Sequence, residues 1–148
     1  MEETGDAERR WQLILLLVPL GRSWLGFDLE QLDGIAEGAG TGTDGAIFSL
    51  SRLFGLEAAS GRESRIVTVK GDELRRVPSY RLRIETPEDV QEVDWRAIRP
   101  LPPLLEPFTR RLGVWGLLPL ADGRLVLLFD GQAVERHLLE NLPCEERS

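Results

Sequence analysis

The chain has 148 residues, with 25 Asp and Glu against 18 Lys and Arg, and a formal net charge of −7. This length suits one domain or two small halves over a shared core, and an apolar share of 42% is enough to fill it. The acidic balance argues against a general phosphate-binding surface, which needs clustered Lys and Arg, so no nucleic-acid partner is expected. Lys70 is the sole lysine, and arginine carries the remaining basic charge, favouring planar bidentate pairing. One cysteine, Cys144, cannot close an internal disulfide. The start, MEETGDAERR, is acidic and polar, unlike a secretory leader. The apolar run WQLILLLVPL is ten residues long, against the roughly 20 that a bilayer-spanning helix needs. A cytoplasmic protein with no direct membrane insertion is expected.

Residues 1–10 read as a solvated lead-in. Residues 11–20 are too short and too continuously apolar for a surface helix, and they fit a buried strand. A turn at Gly21 and Arg22, with Trp24, Phe27 and Leu29 alternating beyond it, predicts a hairpin of 11–20 with Ser23–Asp28. Leu29, Leu32 and Ile35 recur at helical spacing, which predicts a short helix or turn leading into a strand. EGAGTGTDG, 37–45, is a glycine-rich loop. Residues 46–50 read as a strand, followed by one helical turn ended by Gly55. EAASGRES is another loop.

The second half opens with SRIVTVK, a strand over 65–70 rich in β-branched residues. GDEL is a turn. In RRVPSYRLRIE, Tyr80, Leu82 and Ile84 alternate with Arg81, Arg83 and Glu85, predicting a half-buried strand with an arginine-bearing outer face. TPEDVQEVDWRAI is polar and reads as irregular apart from one short extended piece. RPLPPLLEP holds four prolines in nine residues, which opposes both a helix and a central strand. Residues 113–120 and 124–129 form a hairpin about the turn pair Asp122 and Gly123. GQAVERHLLENL closes the chain as an amphipathic helix with Val134, Leu138 and Leu142 on one face. Many short strands and a hairpin in each half suggest two small barrels rather than a doubly wound sheet.

Taken in order, these segments resemble the CheW-like domain of bacterial chemotaxis coupling proteins. The likeness rests on WQLILLLVPLGRSWLGFDLEQLDGIAE, GAIFSLSRLFGL, SRIVTVKGDELRRVPSYRLRIETPEDVQEVD, WRAIRPLPPLL and GVWGLLPLADGRLVLLFDGQAVERHL, and it spans 11–139. It implies a mainly β fold: two intertwined five-stranded SH3-like barrels around one core, with short helices and a C-terminal helix. The domain then covers 11–142, with a lead-in at 1–10 and a tail at 143–148. The implied role is a non-enzymatic scaffold without a cofactor. It joins the cytoplasmic tip of a chemoreceptor to the regulatory domain of a CheA-type histidine kinase.

The resemblance places Asp130 on the family's strand-ending aspartate, and Leu32 and Ile35 beside its receptor groove. The chain also departs from the family. The stretch before the second motif is cut to EGAGTGTDG, so that Thr41 and Gly42 fall on the family's Arg-Gly, Ser49 falls on its Asp, and Gly34 replaces a glutamate. Leu50 and Leu53 lie next to this shortened loop. The expected partner-binding positions are therefore Leu32, Ile35, Thr41, Gly42, Leu50 and Leu53, and Leu32→Asp or Ile35→Asp should weaken binding without unfolding the protein. The departures support an alternative, a CheW-like module that keeps the fold and binds a different cytoplasmic partner.

The remaining inventory offers no catalytic constellation. His137, the only histidine, reads as a surface residue without metal-spaced partners. Cys144 neighbours Glu145 and Glu146, which disfavour its thiolate. The glycine-rich loop lacks the Gly-Lys-Ser/Thr ending of a phosphate loop. The proline-rich run reads as a rigid connector rather than a polyproline ligand. Trp95 and Trp115 are expected in the core rather than as interface anchors. Arg75, Arg76, Arg81 and Arg83 suit either a carboxylate-rich partner or Glu73, Glu85 and Asp94 of the same chain.

Overall fold

The computed structural model describes residues 12–37, 47–56 and 63–140. Strands β1 (Gln12–Leu20) and β2 (Ser23–Asp28) form the first hairpin, paired from Leu15↔Asp28 to Leu20↔Ser23. Gly21 takes φ 61° at the first loop position, which a tight hairpin turn requires. A 3-10 turn, Leu29–Gln31, follows, started by the Asp28 carboxylate accepting from the Glu30 amide at 3.0 Å. It leads into β3 (Leu32–Glu37), as expected. Next come β4 (Ile47–Ser49), α1 (Leu50–Leu53), β5 (Ser64–Val69), β6 (Tyr80–Glu85) and β7 (Asp89–Asp94). The chain ends with α2 (Glu106–Arg111), β8 (Val114–Pro119), β9 (Leu125–Phe129) and α3 (Arg136–Glu140).

The strands form two mixed sheets. One has five strands in the order β7-β1-β2-β9-β8, and the other has four in the order β3-β5-β6-β4. Each contains a parallel pair distant in sequence, β2 with β9 and β4 with β6. The five-stranded sheet curls until its edges meet. Arg99, just beyond β7, exchanges both backbone bonds with Leu117 of β8 at 2.8 and 2.9 Å. Leu15, Leu17, Val93, Leu118, Val126 and Leu128, all from this sheet, fill its interior. Gly26 lies in the wall, where an added Cβ would come within 3.0 Å of Val126 and 3.2 Å of Leu15.

The opposite face of the same sheet forms half of a second core. Leu16, Val18 and Leu20 of β1, Leu25 and Phe27 of β2, and Phe129 of β9 pack against Val67, Val69, Leu82 and Ile84 of the four-stranded sheet. Leu50 and Leu53 of α1 and Leu139 of α3 close its ends. The expected two-barrel, mainly β fold is present. The expectation of five strands in each barrel holds for one sheet, and the described residues supply four to the other.

Several local expectations change. TPEDVQEVDWRAI is more ordered than its polarity suggests, because β7 pairs with β1 along its whole length and needs only Val93 in the interior. Helix α2 was masked by its prolines. Pro107 sits in the first turn, where a missing N–H breaks no helical bond, and Arg110 and Arg111 occupy the last turn. The final helix starts later than predicted, at Arg136. Val134 precedes α3, Leu139 is its buried residue, and Leu142 lies outside the described residues. The 120–124 turn is a three-residue loop rather than a tight pair, closed by Leu120 N to Arg124 O at 2.8 Å with Gly123 at φ 91°.

Gly113 couples α2, β8 and the end of β9. It takes φ 85°, its amide donates to Arg110 O at 3.0 Å, and its carbonyl accepts from the Asp130 amide at 2.7 Å. An added Cβ would lie 2.5 Å from Asp130 O and 2.9 Å from Val134. Gly113→Ala is therefore expected to cost about 2–5 kcal/mol, combining left-handed strain with a backbone clash. Gly123→Ala, where the added Cβ meets nothing within 4 Å, should cost only about 1 kcal/mol. Urea denaturation midpoints of the two variants test this difference.

Candidate docking surface

Among the described residues strand β3 is an edge: it pairs with β5 and with no other described strand. Its register slips between Leu32 and Gly34, so Asp33 is an extra, bulged residue. The bulge changes which residues share a face. Leu32 stands opposite Val69 and Ile35 opposite Val67, and these two valines are two apart on β5. Leu32 and Ile35, three apart in sequence, thus lie on one side of the strand. Leu32 packs against the shared core, whereas Ile35 is 48% exposed. Asp33, Gly34 and Ala36 are also exposed. A Cβ added at Gly34 would meet nothing within 4 Å, so the lack of a side chain there is not a steric requirement.

The other expected binding positions fare differently. Leu50 and Leu53 are core residues, 1% and 7% exposed, because the single turn of α1 lays both against the four-stranded sheet. They hold the fold and offer no accessible surface. Ser49 is likewise buried, and its hydroxyl accepts from the Arg52 amide at 3.4 Å as the cap of α1. Its place in the family's pattern is therefore a capping position. Thr41 and Gly42 lie outside the described residues.

A polar junction fixes the entry to β3. Gln31 Nε2 donates to Asp130 Oδ1 at 2.8 Å, and the Gly131 amide donates to Gln31 Oε1 at 3.2 Å. Asp130 Oδ1 also accepts from the Gln132 amide at 2.9 Å. Gln31 O accepts from the Lys70 amide at 2.8 Å, and Gln132 Nε2 donates to Lys70 O at 3.0 Å. The aspartate that ends β9 is thus a structural tie between the last hairpin, the turn before β3 and the end of β5. Beside it, the Tyr80 hydroxyl donates to Gly131 O at 2.5 Å. Burial, reinforced by the nearby Asp130 charge, raises the Tyr80 pKa well above the ordinary phenol value.

A second apolar surface contradicts the sequence expectation. Trp95 and Trp115 are not in the core; they are 42% and 40% exposed and stack on each other with ring centroids 5.7 Å apart. The register of β8 against β9 shifts between Val114 and Gly116, so Trp115 is an extra, bulged residue that stands outside. Side-chain size misled the sequence reading, and the bulge depends on the pairing with β9. The pair lines a shallow depression of about 280 Å³ with Leu13, Asp28 and Gln31.

Charge on the surface is largely matched locally. Arg96 binds Asp94 at 2.7 Å, which lowers the Asp94 pKa, and Arg124 binds Asp122 at 2.7 Å while lying 5.2 Å over the Trp24 ring. Asp94 thus serves Arg96 rather than the arginines of β6. His137 is exposed, with Nδ1 3.2 Å from Glu135 and Nε2 3.2 Å from Arg111. Among the described residues no group of three or more His, Cys, Asp or Glu is placed to hold a metal ion, and no helix is long and apolar enough to cross a membrane. Among the described residues, what the β3 edge offers is backbone that no other strand pairs and one exposed aliphatic side chain, a combination suited to protein contact.

Ile35→Asp should change stability by no more than about 0.5 kcal/mol, whereas Leu32→Asp, which places a charge against the core, should cost about 2 kcal/mol or more. Thermal melts of both variants test the division of roles. Tyr80 is the sole tyrosine, so the phenolate absorption band reports it alone. With its folded pKa raised, its contribution to stability is complete below the unfolded value of ~10 and is lost as pH rises above it. Ionisation in the native protein should therefore lag behind that in denaturant. Coincident titration curves would contradict the buried hydroxyl.

No family model matches the sequence, and no curated protein sequence matches it. Among solved structures, the fold is similar to that of the scaffolding protein TtCheW from Thermoanaerobacter tengcongensis. The TM-score is 0.64 at 17% identity, covering 80% of this chain and 88% of that one. With its two mixed sheets sharing a core, its few short helices and this likeness, the chain has the CheW-like fold.

Proposed function

We propose that this chain is a non-enzymatic adaptor of the CheW type. In this reading it couples the cytoplasmic tip of a chemoreceptor to the regulatory domain of a CheA-type histidine kinase, and the β3 edge around Ile35 forms part of the contact. The observation that carries the reading is the shared fold with a scaffolding protein over 80% of the chain. The exposed aliphatic residue on an outer strand of the four-stranded sheet adds local support. An edge of this kind gains affinity from main-chain bonds and from desolvating a few apolar side chains.

A second reading, a module of the same fold with a different partner, is favoured by Gly34. The family resemblance puts a glutamate there, and the space around Gly34 would admit one. Its absence removes a charge from the proposed contact and alters which partners fit.

The two readings separate in one titration of the full chain against the kinase regulatory domain and a receptor-tip fragment from the same organism. The adaptor reading expects saturable binding to at least one, weakened about tenfold or more by Ile35→Asp. Absence of binding to both, with a folded sample, supports the second reading.

A further inference from the structure

The opposite edge of the four-stranded sheet carries a different surface. A groove of about 500 Å³ runs between β4, the start of β6, the 72–77 turn and α3. Phe48, Val77, Tyr80 and Leu139 supply its apolar lining. Phe48 and Tyr80 meet edge to face at 6.3 Å, and the Tyr80 hydroxyl is anchored on Gly131 O. Gly131 is held close, since an added Cβ would lie 2.8 Å from Val69. The floor is therefore formed before any partner arrives, which lowers the ordering cost of binding.

The polar lining is strongly one-sided. Among the described residues, Arg76, Arg81 and Arg136 contribute three guanidinium groups, against one carboxylate, Glu140, which Arg136 holds at 3.2 Å. Arg76 is exposed and forms no ion pair with a described carboxylate, in contrast to Arg75, which binds Asp72 at 3.6 Å. Its backbone is fixed at φ 57° by a turn whose ends, Asp72 and Val77, exchange bonds at 2.7 and 2.8 Å. The chain as a whole is acidic, with net charge −7, so an acidic partner is repelled by most of the surface and drawn to this groove.

We propose that this groove docks an acidic segment of a partner protein. An apolar side chain of the segment sits on the Phe48–Tyr80 floor, and its carboxylates face Arg76 and Arg136. The site is separate from the β3 edge, and the proposal does not depend on the adaptor reading.

The test uses the full chain and two fluorescein-labelled peptides, Glu-Glu-Leu-Phe-Glu-Glu and Lys-Lys-Leu-Phe-Lys-Lys, followed by fluorescence anisotropy. The acidic peptide should bind saturably, about tenfold more tightly than the basic one, and should weaken as salt is raised. Arg76→Gly is the informative variant, because glycine adopts the positive φ without strain. It should melt no lower than the parent and bind the acidic peptide about tenfold more weakly. Ile35→Asp should leave this binding unchanged. Three results would each overturn the proposal: no saturable binding, equal binding of both peptides, or full binding by Arg76→Gly. Loss of binding in Ile35→Asp alone would assign the peptide to β3 instead.

Discussion

Strand β1 is buried on both faces, and the architecture follows from that. Leu15 and Leu17 point into the five-stranded barrel, while Leu16, Val18 and Leu20 point into the core shared with the four-stranded sheet. Four of these five residues are at most 4% exposed, and each such side chain contributes roughly 1.5–3 kcal/mol relative to exposure. The apolar run from Leu15 to Val18 is buried on both faces and cannot lie at a surface, so this part of the strand is a wall between two cores. Strands β2 and β9 extend the same wall. Leu25 and Phe27 serve one core, and Val126, Leu128 and Phe129 divide between the two. Because the last strand pairs in parallel with β2, the wall is complete only when the end of the chain has returned to its beginning.

That return is secured by polar contacts as well as by burial. Gln31 and Asp130, 99 residues apart, bind at the rim of the wall. The same junction reaches Lys70 at the end of β5 and lies beside the Tyr80 hydroxyl bond. It sets the position of the four-stranded sheet against the barrel. Among the described residues the two outer strands of that sheet, β3 and β4, consequently have fixed surroundings. β3 presents an aliphatic side chain and open backbone. The β4 side presents a groove whose lining is apolar below and cationic at the rim. One small sheet thus carries two surfaces of different chemistry on opposite sides.

Much of this was legible from the sequence. The unbroken apolar run of β1, the glycine turn after it, the β-branched run of β5 and the Asp122–Gly123 turn each have a local cause, and each appears in the structure. The misreadings have local causes too. Proline density hid α2, although proline in a first turn and glycine just past the end are compatible with a helix. Polarity hid the regularity of β7, an edge strand that needs only one inward residue. At the candidate surface, Leu32, Ile35, Leu50 and Leu53 are the same kind of residue, and nothing in their identity separates them. Ile35 is open because it sits on an edge strand. Leu50 and Leu53 are buried because a one-turn helix folds them inward.

The sequence alone determined the elements whose causes lie within a few residues: periodicity, turn chemistry, capping, and the double burial that forces two cores. Tertiary structure alone decided what depends on distant partners. The bulge at Asp33 brings Leu32 and Ile35 to one face, and it exists only through the register with β5. The stacked tryptophans come from segments beyond β7 and on β8, joined when the barrel edges meet. The arginine-rimmed groove draws on β4, β6, the 72–77 turn and α3 together. Exposure and juxtaposition are properties of pairs of segments, and a linear pattern carries information about only one segment at a time.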